Sequence, residues 1–150
     1  MQIPDEQALS LKLFVVLSKA YKVLEDFVAK DMKTYGISAS EFNILVLLYE
    51  KGQMQLQQIG EKTLVTSGSI TYNIDKLEQR KWIQRMPSST DRRVIFAQIT
   101  PEGAELFQRI FPAHADAIHS VMESVTSEEK EAAIELLKKL GLGIRKGQSS

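Results

Sequence analysis

Cysteine is absent from this 150-residue chain, which excludes a disulfide framework, a thiolate metal site and a thiol redox switch. Long hydrophobic runs are also missing. No uncharged apolar stretch approaches the length of about 18 residues that spans a bilayer, and the N-terminus lacks a basic segment followed by an apolar one. We therefore expect a soluble, cytoplasmic protein with no membrane partner.

Net charge is missing as well, because 19 basic and 19 acidic side chains cancel. The overall charge therefore gives no indication of a nucleic-acid partner. The neutral total conceals two regions of opposite sign, however. Residues 76–93 contain six basic and two acidic side chains, whereas residues 102–135 contain two basic and eight acidic ones. Only the first region suits a phosphate backbone.

Motifs of catalysis are likewise lacking. The chain has no nucleophile elbow, no phosphate-binding glycine loop and no metal-binding helix motif. His114 and His119 lie five residues apart, or about 140° around a helix, so they do not face one metal ion. His119 and Glu123 have the spacing to share an ion, but we expect a solvated pair on a helix surface rather than a metal site. We predict that the protein is not an enzyme and needs no metal or cofactor.

Helical periodicity dominates the first third of the chain. Residues 7–33 carry two adjacent apolar stripes, which is wider than one core requires and leaves a second chain as a candidate neighbour. The stripes consist of Leu13, Val16, Ala20, Val23 and Phe27, and of Phe14, Leu17, Tyr21, Leu24 and Val28. A second helix opens with Ser38 and Glu41 in capping-box spacing and ends at Gly52.

Two short helices follow, separated by the turn-forming residues "VTSG" at 65–68. Leu56, Ile59 and Leu64 mark the buried side of the first, and Ile70, Ile74 and Leu77 mark that of the second. This is a helix-turn-helix pattern, whose second helix enters a major groove in DNA-binding proteins. Opposite its buried side lie Gly68, Tyr72, Asp75, Lys76 and Gln79, with Ser69 and Thr71 at the margins. An ordinary solvated helix surface is the alternative.

A β-hairpin is predicted next. "WIQRM" at 82–86 and "VIFAQI" at 94–99 have strand composition, and the turn residues "PSSTD" lie between them. Arg92 and Arg93 fall near the tip, where an arginine inserted into a narrow minor groove gains electrostatic energy. Asp91 is expected to orient one of these guanidinium groups. The alternative is a hairpin tip that charge merely keeps soluble.

This order of elements resembles the MarR family of winged helix-turn-helix regulators. The family's wing motif, Asp-x-Arg, a strand, Leu or Ile, Thr, two residues and Gly, falls on Asp91, Arg93, Ile99, Thr100 and Gly103. The resemblance implies that Arg93 is the minor-groove arginine, with Asp91 as its organiser and Arg92 beside it. It also implies that the recognition helix contacts DNA through Ser67, Ser69, Thr71, Tyr72 and Lys76.

One position departs from the family pattern. Where the family usually has glycine after the recognition helix, this chain has Lys81. Either Lys81 adopts the left-handed conformation that glycine favours, or the helix ends differently. The placement of the wing depends on which of these holds.

The predicted fold is mainly α with a small β component (α+β): a winged helix-turn-helix lobe with a helical dimerisation lobe formed by the N- and C-terminal helices. We assign residues 1–36 to the N-terminal dimerisation helix, 37–100 to the DNA-binding domain, 101–145 to the C-terminal dimerisation helices and 146–150 to a disordered tail. Thr100 and Pro101 suit the start of one C-terminal helix, and Thr126 and Glu129 form the capping box of the next. By resemblance the first helix pairs with the last two of a partner, through Leu13, Phe14, Leu17, Ile110, Leu137 and Leu140.

Members of the family often bind small aromatic molecules, for which Tyr21, Phe42, Tyr49 and Phe107 are candidates here, unless they are plain core. The stretches "LKLFVVLSKAYK", "LQQIGEKTLVTSGSITY" and "IELLKKLGLGI" resemble the MhqR subgroup, repressors of quinone and hydroquinone detoxification genes. We therefore expect a homodimeric, sequence-specific repressor that leaves a pseudo-palindromic operator in double-stranded DNA when it binds a phenolic or quinone-like effector. The alternatives are a ligand-independent DNA architectural protein and a winged-helix module that binds protein.

Overall fold

The computed structural model describes residues 1–63 and 67–148. These residues form helices and a small sheet in the order α1 (Asp5–Lys33), α2 (Ala39–Lys51), β1 (Gln53–Gln55), α3 (Leu56–Lys62), α4 (Ser67–Gln79), β2 (Ile83–Pro87), β3 (Ile95–Ile99), α5 (Pro101–Val121) and α6 (Ser127–Gln148). The predicted mainly helical class with a small β component is confirmed. No helix within the described ranges has the length and hydrophobicity needed to cross a bilayer.

The chain divides into two compact units, Met1–His114 and Ala115–Ser150. The first contains the hydrophobic core, whose fully buried side chains are Met32, Ile44, Leu45, Leu48, Ile59, Ile74, Leu77, Ile83 and Ile110. The second contains the end of α5 and the whole of α6, in which none of the described side chains is buried. The helix-turn-helix and the hairpin both belong to the first unit.

The sheet has the strand order β1-β3-β2 and is antiparallel throughout. Ala97 lies at its centre, opposite Met54 of β1 and Arg85 of β2. Strands β2 and β3 are the predicted hairpin, although β2 extends to Pro87 and β3 begins at Ile95, one residue later than expected. Strand β1 was not predicted, because three residues are too few to show a period in the sequence.

Several helix ends carry the caps that the sequence predicts. The amide of Glu41 donates to Ser38 Oγ over 3.0 Å, and the amide of Ser38 donates to Glu41 Oε1 over 3.2 Å. At α6, the amide of Thr126 donates to Glu129 Oε1 over 3.0 Å, and the amide of Glu129 donates to Thr126 Oγ1 over 3.1 Å. Both predicted capping boxes are confirmed.

Lys81 adopts the left-handed conformation, with φ of 65°. Its amide donates to the carbonyl of Glu78 over 2.9 Å, and the amide of Trp82 donates to the carbonyl of Leu77 over 3.1 Å. These two bonds form a Schellman motif, which usually places glycine where this chain has lysine. The departure from the family pattern is therefore accommodated by backbone strain rather than by a different helix end.

Three predicted boundaries need correction. Helix α4 begins at Ser67, so Ser67 and Gly68 lie in the helix rather than in the preceding turn. Helix α3 ends at Lys62, and Leu64, predicted to face the core from it, lies outside the described residues. Helix α6 continues to Gln148, so residues 146–148 of the expected disordered tail are helical. Arg145 and Lys146 in its last turn favour this continuation, because cations stabilise the negative end of the helix dipole.

Candidate nucleic-acid interface and aromatic cavity

The recognition helix α4 is amphipathic in the predicted sense. Ile70, Ile74 and Leu77 are buried, whereas Ser69, Thr71, Tyr72 and Lys76 are exposed. Lys76 Nζ lies 4.9 Å from the centre of the Tyr72 ring, a cation–π distance. The helix thus presents hydroxyl groups near its N-terminus and an aromatic–cation pair one turn later. The Ser67 side chain, also predicted to contact DNA, falls outside what the structure describes.

Asn73 is a polar residue of this helix that periodicity alone does not explain, since it is 6% exposed. Its side-chain amide donates to the carbonyl of Ser69 over 2.8 Å, one helical turn earlier. Burial of the amide is therefore compensated by a hydrogen bond within the helix.

The hairpin turn is ordered by a network of short-range hydrogen bonds. The amide of Ser88 donates to the carbonyl of Val94 over 3.0 Å, which closes the loop. Asp91 Oδ1 accepts the amide of Arg93 over 3.0 Å and lies 3.5 Å from Arg93 Nε. The Arg93 side chain is 92% exposed. Asp91 thus holds the backbone of Arg93, whose side chain projects into solvent, as the sequence predicts. The hydrogen bond from the Arg93 amide is shorter than the contact with its guanidinium.

Arg85 of β2 connects the hairpin to the recognition helix. Its Nη2 lies 2.5 Å from Asp75 Oδ1 and its Nη1 lies 2.8 Å from Glu78 Oε1. The backbone amide of Arg85 donates to the other oxygen of Glu78 over 2.9 Å. Burial by itself would lower the pKa of Arg85, but the hydrogen bonds and charges of Asp75 and Glu78 outweigh it and raise that pKa. Sequence analysis missed this cluster, because Arg85 lies on β2 and the two acids lie on α4, and no periodic pattern relates residues of different elements.

Comparison with known proteins supports the assignment of these elements. The MarR family model matches residues 37–95, which run from before α2 to the start of β3. The chain is 49% identical over 136 residues to the HTH-type transcriptional regulator MhqR of Bacillus subtilis, covering 91% of this chain and 94% of that protein. The chain belongs to the MarR family. It is a transcriptional regulator and not an enzyme, as the sequence predicts.

Solved structures share the fold of this MarR-family regulator. Sco3205, a MarR-family regulator of Streptomyces coelicolor in complex with DNA, aligns with a TM-score of 0.82 at 23% identity, over 95% of this chain and 90% of its own. NadR in complex with 4-hydroxyphenylacetate aligns with a TM-score of 0.70 at 23% identity, over 84% and 89% of the respective chains. At these identities the alignments establish the winged helix-turn-helix fold alone.

The MarR-family chain also has an aromatic cavity, largely open to solvent, of about 390 Å³ between α2 and α5. It is lined by Val46, Tyr49, Glu50, Phe107, Gln108, Phe111 and Pro112. The Phe107 ring stacks on Tyr49 and Phe111, with centroid distances of 4.3 and 5.1 Å. The side-chain amide of Gln108 donates to the Tyr49 hydroxyl over 2.8 Å. The cavity therefore has aromatic walls and a hydroxyl–amide pair.

Of the four predicted effector residues, Tyr49 and Phe107 line this cavity. Phe42 is buried behind it, with its ring 5.8 Å from that of Phe107. Tyr21 is 50% exposed and does not line this cavity, so its assignment to an effector site stays a prediction. Phe111 and Gln108 were missed. In the sequence, Pro112 indicated only a bend in α5. The packing of α5 against α2 could not be inferred from the sequence.

His114 of α5 contacts α1. Its Nδ1 lies 3.3 Å from Asp31 Oδ2, and its ring meets the edge of Phe42 at 5.0 Å. Both side chains of the pair are largely buried. Sequence analysis did not find this contact, because Asp31 and His114 are 83 residues apart along the chain.

Most of the residues predicted at the dimer interface are accessible. Leu13, Phe14, Leu137 and Leu140 are exposed hydrophobic side chains, and Leu17 is partly exposed. Ile110 is 1% exposed and packs in the core of the first unit, so its assignment to the interface is wrong. The apolar stripe of α5 on which it lies serves the protein's own core at this point.

Proposed function

We propose that this regulator is a repressor that binds a pseudo-palindromic operator as a homodimer and leaves it when a neutral aromatic molecule occupies the cavity. The DNA-binding part of the proposal is carried by one observation: the recognition helix and the hairpin turn both expose DNA-binding side chains on the first compact unit. The exposed face of α4 presents Thr71, Tyr72 and Lys76, and the ordered turn beside it projects Arg93. A major-groove helix and a minor-groove arginine are the two parts that a winged helix-turn-helix needs.

Homodimerisation is supported by exposed apolar side chains on α1 and, separately, on α6. Leu13 and Phe14 of α1 are 58% and 67% exposed, and Leu137 of α6 is 49% exposed. Apolar surface of this extent marks an interaction site. A second copy of the chain covers such a surface with twofold symmetry, and the two recognition helices then address two half-sites of an operator.

The chemistry of the cavity supports an aromatic effector. Phe107, Tyr49 and Phe111 offer stacking surfaces, and the Tyr49 hydroxyl and Gln108 amide offer hydrogen bonds to a phenolic group. Glu50 is the charged side chain in the described lining, which includes no lysine or arginine. A carboxylated aromatic would meet a like charge there, so a neutral phenol or hydroquinone is favoured. This fits the resemblance to the MhqR subgroup.

A salt-controlled binding titration tests the proposal. Purified protein is titrated against fragments of its own upstream region and against a scrambled duplex, with and without methylhydroquinone under anaerobic conditions. Tight binding to one fragment, lost on adding the hydroquinone, is the expected result. Equal binding to both duplexes would favour a ligand-independent architectural protein, and binding to neither would favour a protein-interaction module.

Two variants locate the effector response and the dimer. Tyr49→Phe removes the hydroxyl while keeping the ring, so operator binding should persist while the hydroquinone response weakens. 4-Hydroxybenzoate, which adds a carboxylate to a phenol, should release the operator less effectively than methylhydroquinone.

Phe14→Glu should yield a monomer in sedimentation analysis and weaken operator binding. A dimer with unchanged affinity would remove α1 from the interface.

A further inference from the structure

The structure contains a clamp between the recognition helix and the wing, formed by Arg85 with Asp75 and Glu78. We propose that Arg85 is a positioning residue for DNA recognition, which holds the hairpin in the orientation where α4 and Arg93 bind DNA together. The inference rests on the DNA-binding function proposed above. It adds that operator recognition depends on a contact that does not itself touch DNA.

The geometry of the clamp fixes both the backbone and the side chain of Arg85. The Glu78 carboxylate accepts hydrogen bonds from the backbone amide of Arg85 over 2.9 Å and from its Nη1 over 2.8 Å. The Asp75 carboxylate accepts a hydrogen bond from Nη2. A guanidinium that is held at two nitrogens by two carboxylates has little rotational freedom. The Arg85 side chain is only 25% exposed. Since Arg85 sits in the middle of β2, opposite Ala97 of β3, its orientation is also that of the hairpin.

The positions of Asp75 and Glu78 argue that Arg85 does not bind a DNA phosphate. Asp75 is half exposed on the same helix as Lys76, where a carboxylate repels the DNA backbone. Its contact with Arg85 offers a reason for this unfavourable charge. The carboxylates of Asp75 and Glu78 also occupy the guanidinium nitrogens that a phosphate would need. Holding the hairpin in place before binding reduces the entropy that is lost when two elements engage DNA at once.

The primary test is Glu78→Gln, with Glu105→Gln as the matched control. Both substitutions remove one negative charge, but Glu105 is exposed on α5, outside the helix-turn-helix and the hairpin. Affinity is measured for the operator fragment and for a scrambled duplex at one salt concentration. We expect Glu78→Gln to weaken operator binding about tenfold without weakening scrambled binding, while Glu105→Gln leaves the ratio of the two affinities unchanged. An unchanged ratio for Glu78→Gln would overturn the proposal.

Arg85→Lys separates geometry from charge and covers the case in which Glu78→Gln unfolds. Lysine keeps the positive charge but lacks the planar fork, so the clamp predicts a loss of operator preference close to that of Glu78→Gln. Melting temperature and far-ultraviolet circular dichroism check that the fold persists. Wild-type operator preference in Arg85→Lys would show that the clamp is not needed for recognition.

A double-mutant cycle with Arg93→Ala gives a readout that a merely structural role would not change. If Arg85 positions the wing, Arg93 contributes less once the clamp is broken, so Arg93→Ala costs fewer-fold in the Arg85→Lys background than in the wild type. Additive effects would overturn the proposal. If the wild-type protein shows no preference for any upstream fragment, the proposed function itself fails. A preference that survives Glu78→Gln and Arg85→Lys refutes only the clamp.

Discussion

A β-carbon on Gly103 would lie 2.0 Å from the carbonyl oxygen of Trp82, because the first turn of α5 rests directly on the backbone that follows α4. The amide of Thr100 donates to the same oxygen over 3.0 Å, and the Thr100 hydroxyl donates to the carbonyl of Lys81 over 2.6 Å. The threonine and glycine of the wing motif therefore join the base of the wing to α5.

Gly103→Ala should destabilise the protein strongly. The added methyl group meets backbone atoms of Trp82, which cannot move aside as a flexible side chain would, so we expect a loss of about 3 kcal/mol or more in the free energy of unfolding. Gly60→Ala is the control, since its β-carbon would lie 3.7 Å from Ile70, at ordinary contact distance. Helix propensity should make that variant neutral or more stable by up to about 1 kcal/mol. Urea unfolding measures both, and equal effects would contradict the close approach.

Lys81→Gly should stabilise the protein by up to about 1 kcal/mol. The left-handed conformation at φ of 65° strains an L-residue but not glycine, and the gain is partly offset by the greater freedom of glycine in the unfolded chain. Lys81→Val removes the same charge but places a β-branched residue at this φ, so it should be destabilising. Urea midpoints of the two variants on opposite sides of the wild type would support the strained cap. A stabilised Lys81→Val would refute it.

Arg93→Ala should weaken operator binding by about 1–3 kcal/mol and leave the fold intact. The reason is that Asp91 holds the Arg93 backbone and lies near its guanidinium, so that the side chain is presented outward in a defined direction. Arg92→Ala removes the same charge from the same turn and should cost less. Titrations at matched salt concentration, with circular dichroism as the check on folding, decide the comparison. Unchanged affinity in Arg93→Ala would remove the wing from the interface.

The capping box of α6 should give a measurable pH dependence. Hydrogen bonds with the backbone N–H of Thr126 first, and then with its side chain, lower the pKa of Glu129. A group whose pKa is lowered by folding adds stability above its unfolded pKa of about 4.3, and that stability is lost as the pH falls through the folded pKa. An NMR titration should therefore show Glu129 protonating below its ordinary range. Thr126→Ala removes the side-chain hydrogen bond but keeps the backbone N–H, so it should raise the pKa of Glu129 only part of the way to that range, whereas the neighbouring Ser127→Ala should leave it unchanged.

The hairpin and the two caps were readable from the sequence because their contacts are local. Ser38 with Glu41, and Thr126 with Glu129, are three residues apart, so their spacing alone identifies the hydrogen bonds. The buried side of α4 follows from the helical period in the same way. The apolar residue Ile110 misled sequence analysis, because periodicity shows that a helix has an apolar face but not what that face meets.

The sequence by itself determined the order of the helices and of the hairpin, the family, the exposed face of α4 and the arginine turn beside it. Only the tertiary structure decided that Lys81 takes the left-handed cap, that Arg85 joins Asp75 and Glu78, and that Phe111 and Gln108 complete a cavity with Tyr49. The physical reason is one of range. Capping hydrogen bonds and apolar periodicity involve neighbouring residues of one element, whereas the clamp and the cavity exist only after folding packs one element against another.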